Sequence, residues 1–232
     1  MATISTNDAF QWVFNNATSI KINRRGVVAQ TIARDGTVRS TSRGGNVWRF
    51  TVEMPSGYRY SEVRDYIQAL DTADRLLTGN VTMNHSGSTW ITEYQGGATP
   101  TEISNITAKQ SASNSSTIAL SNLTTIADGI TILQQGDFVQ LTTGGNPRAS
   151  VYTVAADAVK SGSTLNVTVN RPLLNWDGNT TPSYGLKVGN DVRWELRCVR
   201  MPGWTITPGQ LVQWEGAFEF VEDLVAGRAG NI

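Results

Sequence analysis

Two reactive residue types are almost missing from this chain. Cysteine and histidine each occur once in 232 residues, as Cys198 and His85. One cysteine excludes an intramolecular disulfide. A chain of this length buries roughly 70% of its unfolded surface, so it needs no disulfide or metal staple. Charge is scarce as well: 19 basic and 19 acidic residues cancel, and together they are 16% of the chain. The basic excess of a nucleic-acid binder is therefore missing, and no sequence-specific nucleic-acid partner is expected. No apolar run approaches the ~20 residues that span a bilayer, so no membrane partner is expected. Met1 to Asp8 carry no basic stretch followed by an apolar one, and no secretory signal is expected there.

Catalytic constellations are equally hard to assemble. There is no phosphate-binding loop, no dinucleotide fingerprint and no Cys/His set with metal spacing, so no cofactor or metal is expected. A nucleophile–base pair would have to use His85, which sits beside Asn84, Ser86 and Gly87 in a turn-like context. Cys198 lies at an apolar position of a strand-like run and reads as a small buried hydrophobe. Asp128, Asp137 and Asp177 could touch calcium, but turn chemistry accounts for acids next to glycine and asparagine. Glu195, Glu215 and Glu219 could form a carboxylate pair. Their place on polar strand faces near Arg193 and Arg197 points instead to cross-strand pairing or subunit contact. The chain is not expected to be an enzyme.

What is present is strand periodicity. Trp48, Phe50 and Val52 alternate with Arg49, Thr51 and Glu53, the period of a strand with one buried face. Pro55 and Gly57 end it. Val192, Trp194, Leu196 and Cys198 alternate with Arg193, Glu195 and Arg197. Val212, Trp214, Gly216, Phe218 and Phe220 alternate with Gln213, Glu215, Ala217 and Glu219. Between them, Phe138–Leu141, Val151–Val154 and Leu165–Val169 are shorter strands separated by turns, the pattern of a small barrel or sandwich.

One helix is expected, over 61–78. Ser61 serves as its N-cap, and Val63, Tyr66, Ile67, Leu70, Ala73, Asp74 and Leu77 form its buried stripe. Gly79 is its closing residue. The Ser/Thr/Asn-rich stretch Ala98–Ser116 reads as a linker, and Asn175–Ser183 as a second loop. The fold expected is mainly β: a discontinuous β-sandwich with one packed helix, residues 1–98 and 184–232. A small OB-like β-barrel, residues 99–183, is inserted into it.

Surface candidates complete the reading. Arg outnumbers Lys fifteen to four, which fits either interface use or lineage bias. Trp176 and Trp204 fall near Pro and Gly in apparent loops. Exposed tryptophan serves as an interface anchor or a sugar-stacking platform. With Arg193, Arg197, Glu195, Glu215 and Glu219 they are the candidate interface residues.

The order of strands, a helix, a barrel-like insertion and a final strand pair resembles distal tail or baseplate-ring proteins of long-tailed bacteriophages. The stretches that carry the likeness are Val47–Met54 with the helix after it, Gly136–Leu174 ending in Pro172-Leu173-Leu174, and Phe218-Glu219-Phe220-Val221-Glu222. The resemblance implies a homo-oligomeric ring, usually six-fold, in the virion tail, assembled in the host cytoplasm. Its partners would be copies of itself and the tube, hub, tape-measure and fibre proteins. It carries over no catalytic residue. A carbohydrate-binding module of a receptor-binding apparatus, with Trp176 and Trp204 at its site, is the alternative.

Overall fold

Alternating apolar residues set most of the backbone into strands, and a computed structural model shows how they pair. It describes residues 4–25, 28–32, 38–42, 47–85, 87–110, 115–143, 146–173 and 184–223. In chain order the elements begin with helix α1 (Thr6–Asn15) and strands β1 (Ser19–Arg25), β2 (Val28–Ile32), β3 (Val38–Ser42), β4 (Val47–Glu53) and β5 (Tyr58–Arg59). Helix α2 (Tyr60–Ala73), β6 (Thr78–Thr82), short helices α3 (Thr89–Thr92) and α4 (Pro100–Asn105), β7 (Thr107–Gln110) and β8 (Thr117–Ser121) follow. Next come β9 (Thr131–Leu133), β10 (Phe138–Thr143), β11 (Asn146–Thr153), β12 (Ala158–Val159), β13 (Leu165–Thr168) and β14 (Tyr184–Val188). A single 3-10 turn precedes β15 (Arg193–Arg200), β16 (Gly203–Thr207), β17 (Leu211–Glu215) and β18 (Phe218–Glu222). The fold is mainly β.

The chain divides into two compact units. One contains Met1–Gly79 and Leu196–Asp223; the other contains Asn80–Glu195. The units divide at 79/80 and 195/196, inside β6 and β15, rather than at the expected 98/99 and 183/184.

In the first unit, β4, β18 and β15 are the interior strands of a five-stranded sheet ordered β1-β4-β18-β15-β6. Phe50 pairs with Ile22 on one side and Phe220 on the other. Helix α1 lies on this sheet. Ser5 caps it by accepting from the Asp8 N–H at 3.2 Å, and Ala9, Phe10, Val13 and Phe14 form its buried stripe. Phe10 meets Phe220 edge-on at 5.0 Å, and Phe14 meets Phe50 at 5.6 Å. The sequence reading missed this helix, although Ser5-x-x-Asp8 followed by apolar residues at three-and-four spacing is a start signal.

Helix α2 departs from the expected 61–78 at both ends. Its N-cap is Arg59, with no side-chain cap, and Ser61 lies inside the helix. It stops at Ala73 because Asp74 leaves the helix at ψ 119 and Arg75 then turns to φ +61. Gly79 is in β6 and closes no helix; a Cβ there would sit 2.6 Å from the Phe10 ring. Trp12 of α1 stacks on Tyr66 of α2 at 4.8 Å. On α2, Val63 and Ile67 join Val212 of the three-stranded sheet β16-β17-β5 in a small core. The expected run Val212–Phe220 is thus two strands in two sheets, broken where Gly216 adopts φ +119. β2 and β3 pair with each other antiparallel.

The second unit is built on a six-stranded antiparallel sheet ordered β11-β10-β14-β7-β8-β13. Its two end strands meet at the bridge Val154↔Val169, so the sheet curls back on itself. An OB barrel has five strands; this sheet has six. β14, expected in the outer domain, is an interior strand here. Its Tyr184, Leu186 and Val188 are buried in the same core as Leu120, Val139 and Leu141. The expected linker Ala98–Ser116 is largely structured: α4 carries a capping box between Thr99 and Glu102. Ile103, Ile106 and Ala108 enter the core. Residues 111–114 and the expected loop at 175–183 lie outside the described residues.

Candidate functional site

The abrupt end of α2 leaves large apolar residues of the first unit exposed. Past Ala73 the Arg75 N–H donates to the Cys198 carbonyl at 2.9 Å. This ties the backbone leading into Leu76 and Leu77 to β15 next to Val199, the extra residue of a bulge in the pairing of β15 with β18. The three residues are 72%, 44% and 38% exposed. Leu77 was expected in the buried stripe of the helix; it is exposed because the helix ends a turn earlier. Isolated exposed leucines are ordinary, but here three large apolar residues are exposed on backbone joined by the Arg75–Cys198 bond, and they are taken together as a candidate patch.

Arg197 holds this patch in place. Its Nε and Nη2 donate to Asp223 Oδ2 at 3.1 and 2.6 Å, while Nη1 donates to the carbonyls of Leu76 at 2.6 Å and Arg75 at 3.2 Å. A planar guanidinium satisfies a carboxylate and a helix end together in this way, where an ammonium group would not. The Arg197 side chain is 37% exposed and that of Asp223 only 8%. At the rim, the largely exposed Arg200 and Glu219 pair at 3.1 Å. Beneath the surface Cys198 is fully buried, and desolvation pushes its thiol up to about 12, which leaves it unreactive at neutral pH.

The remaining described candidates have other surroundings. Trp204 is half-buried on β16, stacked on Tyr60 at 5.7 Å with an interplanar angle of 20°. With Tyr60, Arg64, Asp65, Ile67, Gln68 and Asp71 it lines a cleft of about 490 Å³ along α2. Glu215 is exposed on β17 opposite Gly203. In the second unit, Arg193 exchanges backbone bonds with the Gln140 side chain, donating to Oε1 at 2.9 Å and accepting from Nε2 at 2.7 Å. Glu195 is half-buried. Trp176 lies outside the described residues. The six described candidates are therefore divided between the two units, Arg193 and Glu195 in the second and the other four in the first. Sequence reasoning missed Leu76 and Val199, whose exposure depends on where a helix ends and where a strand bulges.

Among the described residues, no three His, Cys, Asp or Glu side chains converge so as to hold a metal ion. Asp128 pairs with Lys160 at 2.5 Å, which lowers its pKa through that hydrogen bond. Asp137 accepts from the Gln95 and Gln134 N–H groups at 2.9 and 2.8 Å, and burial raises its pKa. Both act as turn staples. His85 accepts from the Gly87 N–H in a turn. No described helix is long and apolar enough to cross a membrane. No protein-family model matches the chain, and no curated protein matches it in sequence.

Proposed function

We propose that this protein is a structural component of a bacteriophage tail or baseplate. It would form a homo-oligomeric ring that connects the tail tube to the hub or fibre apparatus. The observation that carries the reading is the Leu76–Leu77–Val199 patch with its charged rim of Arg200 and Glu219. An apolar centre ringed by polar groups is the anatomy of a protein interface. Its backbone is fixed in advance by the Arg197 bonds and the Arg75–Cys198 bond, which reduces the ordering cost of association. The strand–helix–insertion–strand order adds the resemblance to tail rings. A formal net charge of zero adds weak self-repulsion between copies. Contacts between different patches of identical chains close into rings when the rotation allows.

The test is light scattering and negative-stain electron microscopy on the purified chain, alone and with a tail-tube protein. Rings or discrete oligomers are expected. Leu76→Asp with Val199→Asp should give folded monomers, shown by an unchanged circular dichroism spectrum. A wild-type chain that stays monomeric in both settings refutes the proposal.

A further inference from the structure

The cleft along α2 has no part in the ring reading, yet it has the makings of a ligand site. Tyr60, Arg64, Gln68 and Asp71 recur at spacings of four, four and three, so they share one helix face. Ile67 and the Trp204–Tyr60 stack supply an apolar surface beside them. Arg64 is engaged with Asp65 at 3.3 Å. No described residue bonds the head groups of Gln68 or Asp71.

These features select a ligand by chemistry. The two acids outnumber the single engaged cation, so phosphates and carboxylates are repelled. A carboxylate and an amide with no described partner accept from and donate to hydroxyl groups. An aromatic surface beside them takes the C–H face of a ring. Few ligand classes other than sugars combine a flat apolar face with a hydroxyl-bearing edge. We propose that the cleft lined by Trp204, Tyr60, Gln68 and Asp71 binds neutral pyranose sugars.

Titration of the full chain with methyl glycosides of glucose, galactose, mannose and N-acetylglucosamine, and with a short linear oligomer of each, tests this. Tryptophan fluorescence and calorimetry are the readouts. At least one sugar should saturate at millimolar concentration. Asp71→Asn should weaken it about tenfold, Trp204→Phe should weaken it, and Trp204→Ala should abolish it. Asp191→Asn, on the other unit, should change nothing. Should Trp204→Ala melt early, the Asp71→Asn and Trp204→Phe variants decide the matter. An oligomer that binds more tightly than its glycoside identifies a polysaccharide chain as the ligand; equal binding identifies a terminal sugar. The proposal is overturned if no sugar saturates by roughly 10 mM, a free energy of only about 3 kcal/mol. It is also overturned if the sugar that binds is indifferent to both Asp71→Asn and Trp204→Phe. Light scattering on the same samples keeps the two readings apart, since a sugar-binding monomer removes the ring alone and a ring without sugar binding removes the sugar alone.

Discussion

Arg197→Ala is the most informative single perturbation. The substitution deletes four donor contacts at once, two to Asp223 and two to the carbonyls that follow α2. Asp223, 8% exposed, loses the Arg197 cation from a carboxylate that is largely desolvated. Breaking a buried ion pair from one side costs about 3–5 kcal/mol. Arg197 itself is 37% exposed, and water can reach part of the gap, so the lower end is discounted to about 2–3 kcal/mol. For a chain of this size that lowers Tm by about 5–10 °C. Arg200→Ala is the matched control, because it breaks an ion pair with Glu219 that is largely exposed on both sides. It should cost no more than about 1 kcal/mol. Thermal and urea melts at pH 7 compare the two, and a cycle with Asp223→Ala should return a coupling of at least about 1 kcal/mol. If Arg197→Ala costs no more than Arg200→Ala, or the coupling is zero, Arg197 does not hold the surface together. In that case its substitution should also leave assembly untouched, whereas the reading here expects weaker association as the Leu76–Leu77 turn loosens.

Phe220→Ala should destabilise the first unit by about 3–5 kcal/mol, since Phe220 packs against Phe10, Phe14 and Phe218; Phe220→Leu should cost only about 1–1.5 kcal/mol in the same urea melts. Cys198 should resist alkylation at pH 8.5 in the native protein and react once urea unfolds it. Its folded thiol lies near 12 against an ordinary 9.0, so the stability it contributes is complete below pH 9 and declines as pH rises toward 12; Cys198→Ala should flatten that slope relative to wild type. Thr99→Ala removes the acceptor for the Glu102 N–H and should cost about 1 kcal/mol, read as faster amide exchange over residues 100–106.

Local sequence determined a good part of this molecule. Strict alternation fixed which side of β4, β15 and β18 is buried, because a one-residue slip would put Trp48, Phe50, Leu196 and Phe220 into water. The stripe Val63, Ile67 and Leu70 fixed the helical character of α2, and a lone Cys198 in an apolar run read correctly as core. The ends of elements were not legible, because helix termini depend on contacts from distant chain. Leu77 continues the α2 stripe in sequence, but the Arg75 N–H finds the Cys198 carbonyl and the helix stops. Composition also misled in Ala98–Ser116: the described part of this polar stretch is structured because Ile103, Ile106 and Ala108 enter a core built from strands distant in sequence. The same limit applied to the surface. Exposure of Leu76 and Val199, the partner of Arg197 and the stacking of Trp204 on Tyr60 all arise between residues far apart in sequence. Hydrophobic period is a property of neighbours, so sequence determined the faces; hydrogen-bond completion and packing are long-range, so only the tertiary structure decided which side chains were left on the outside to meet something else.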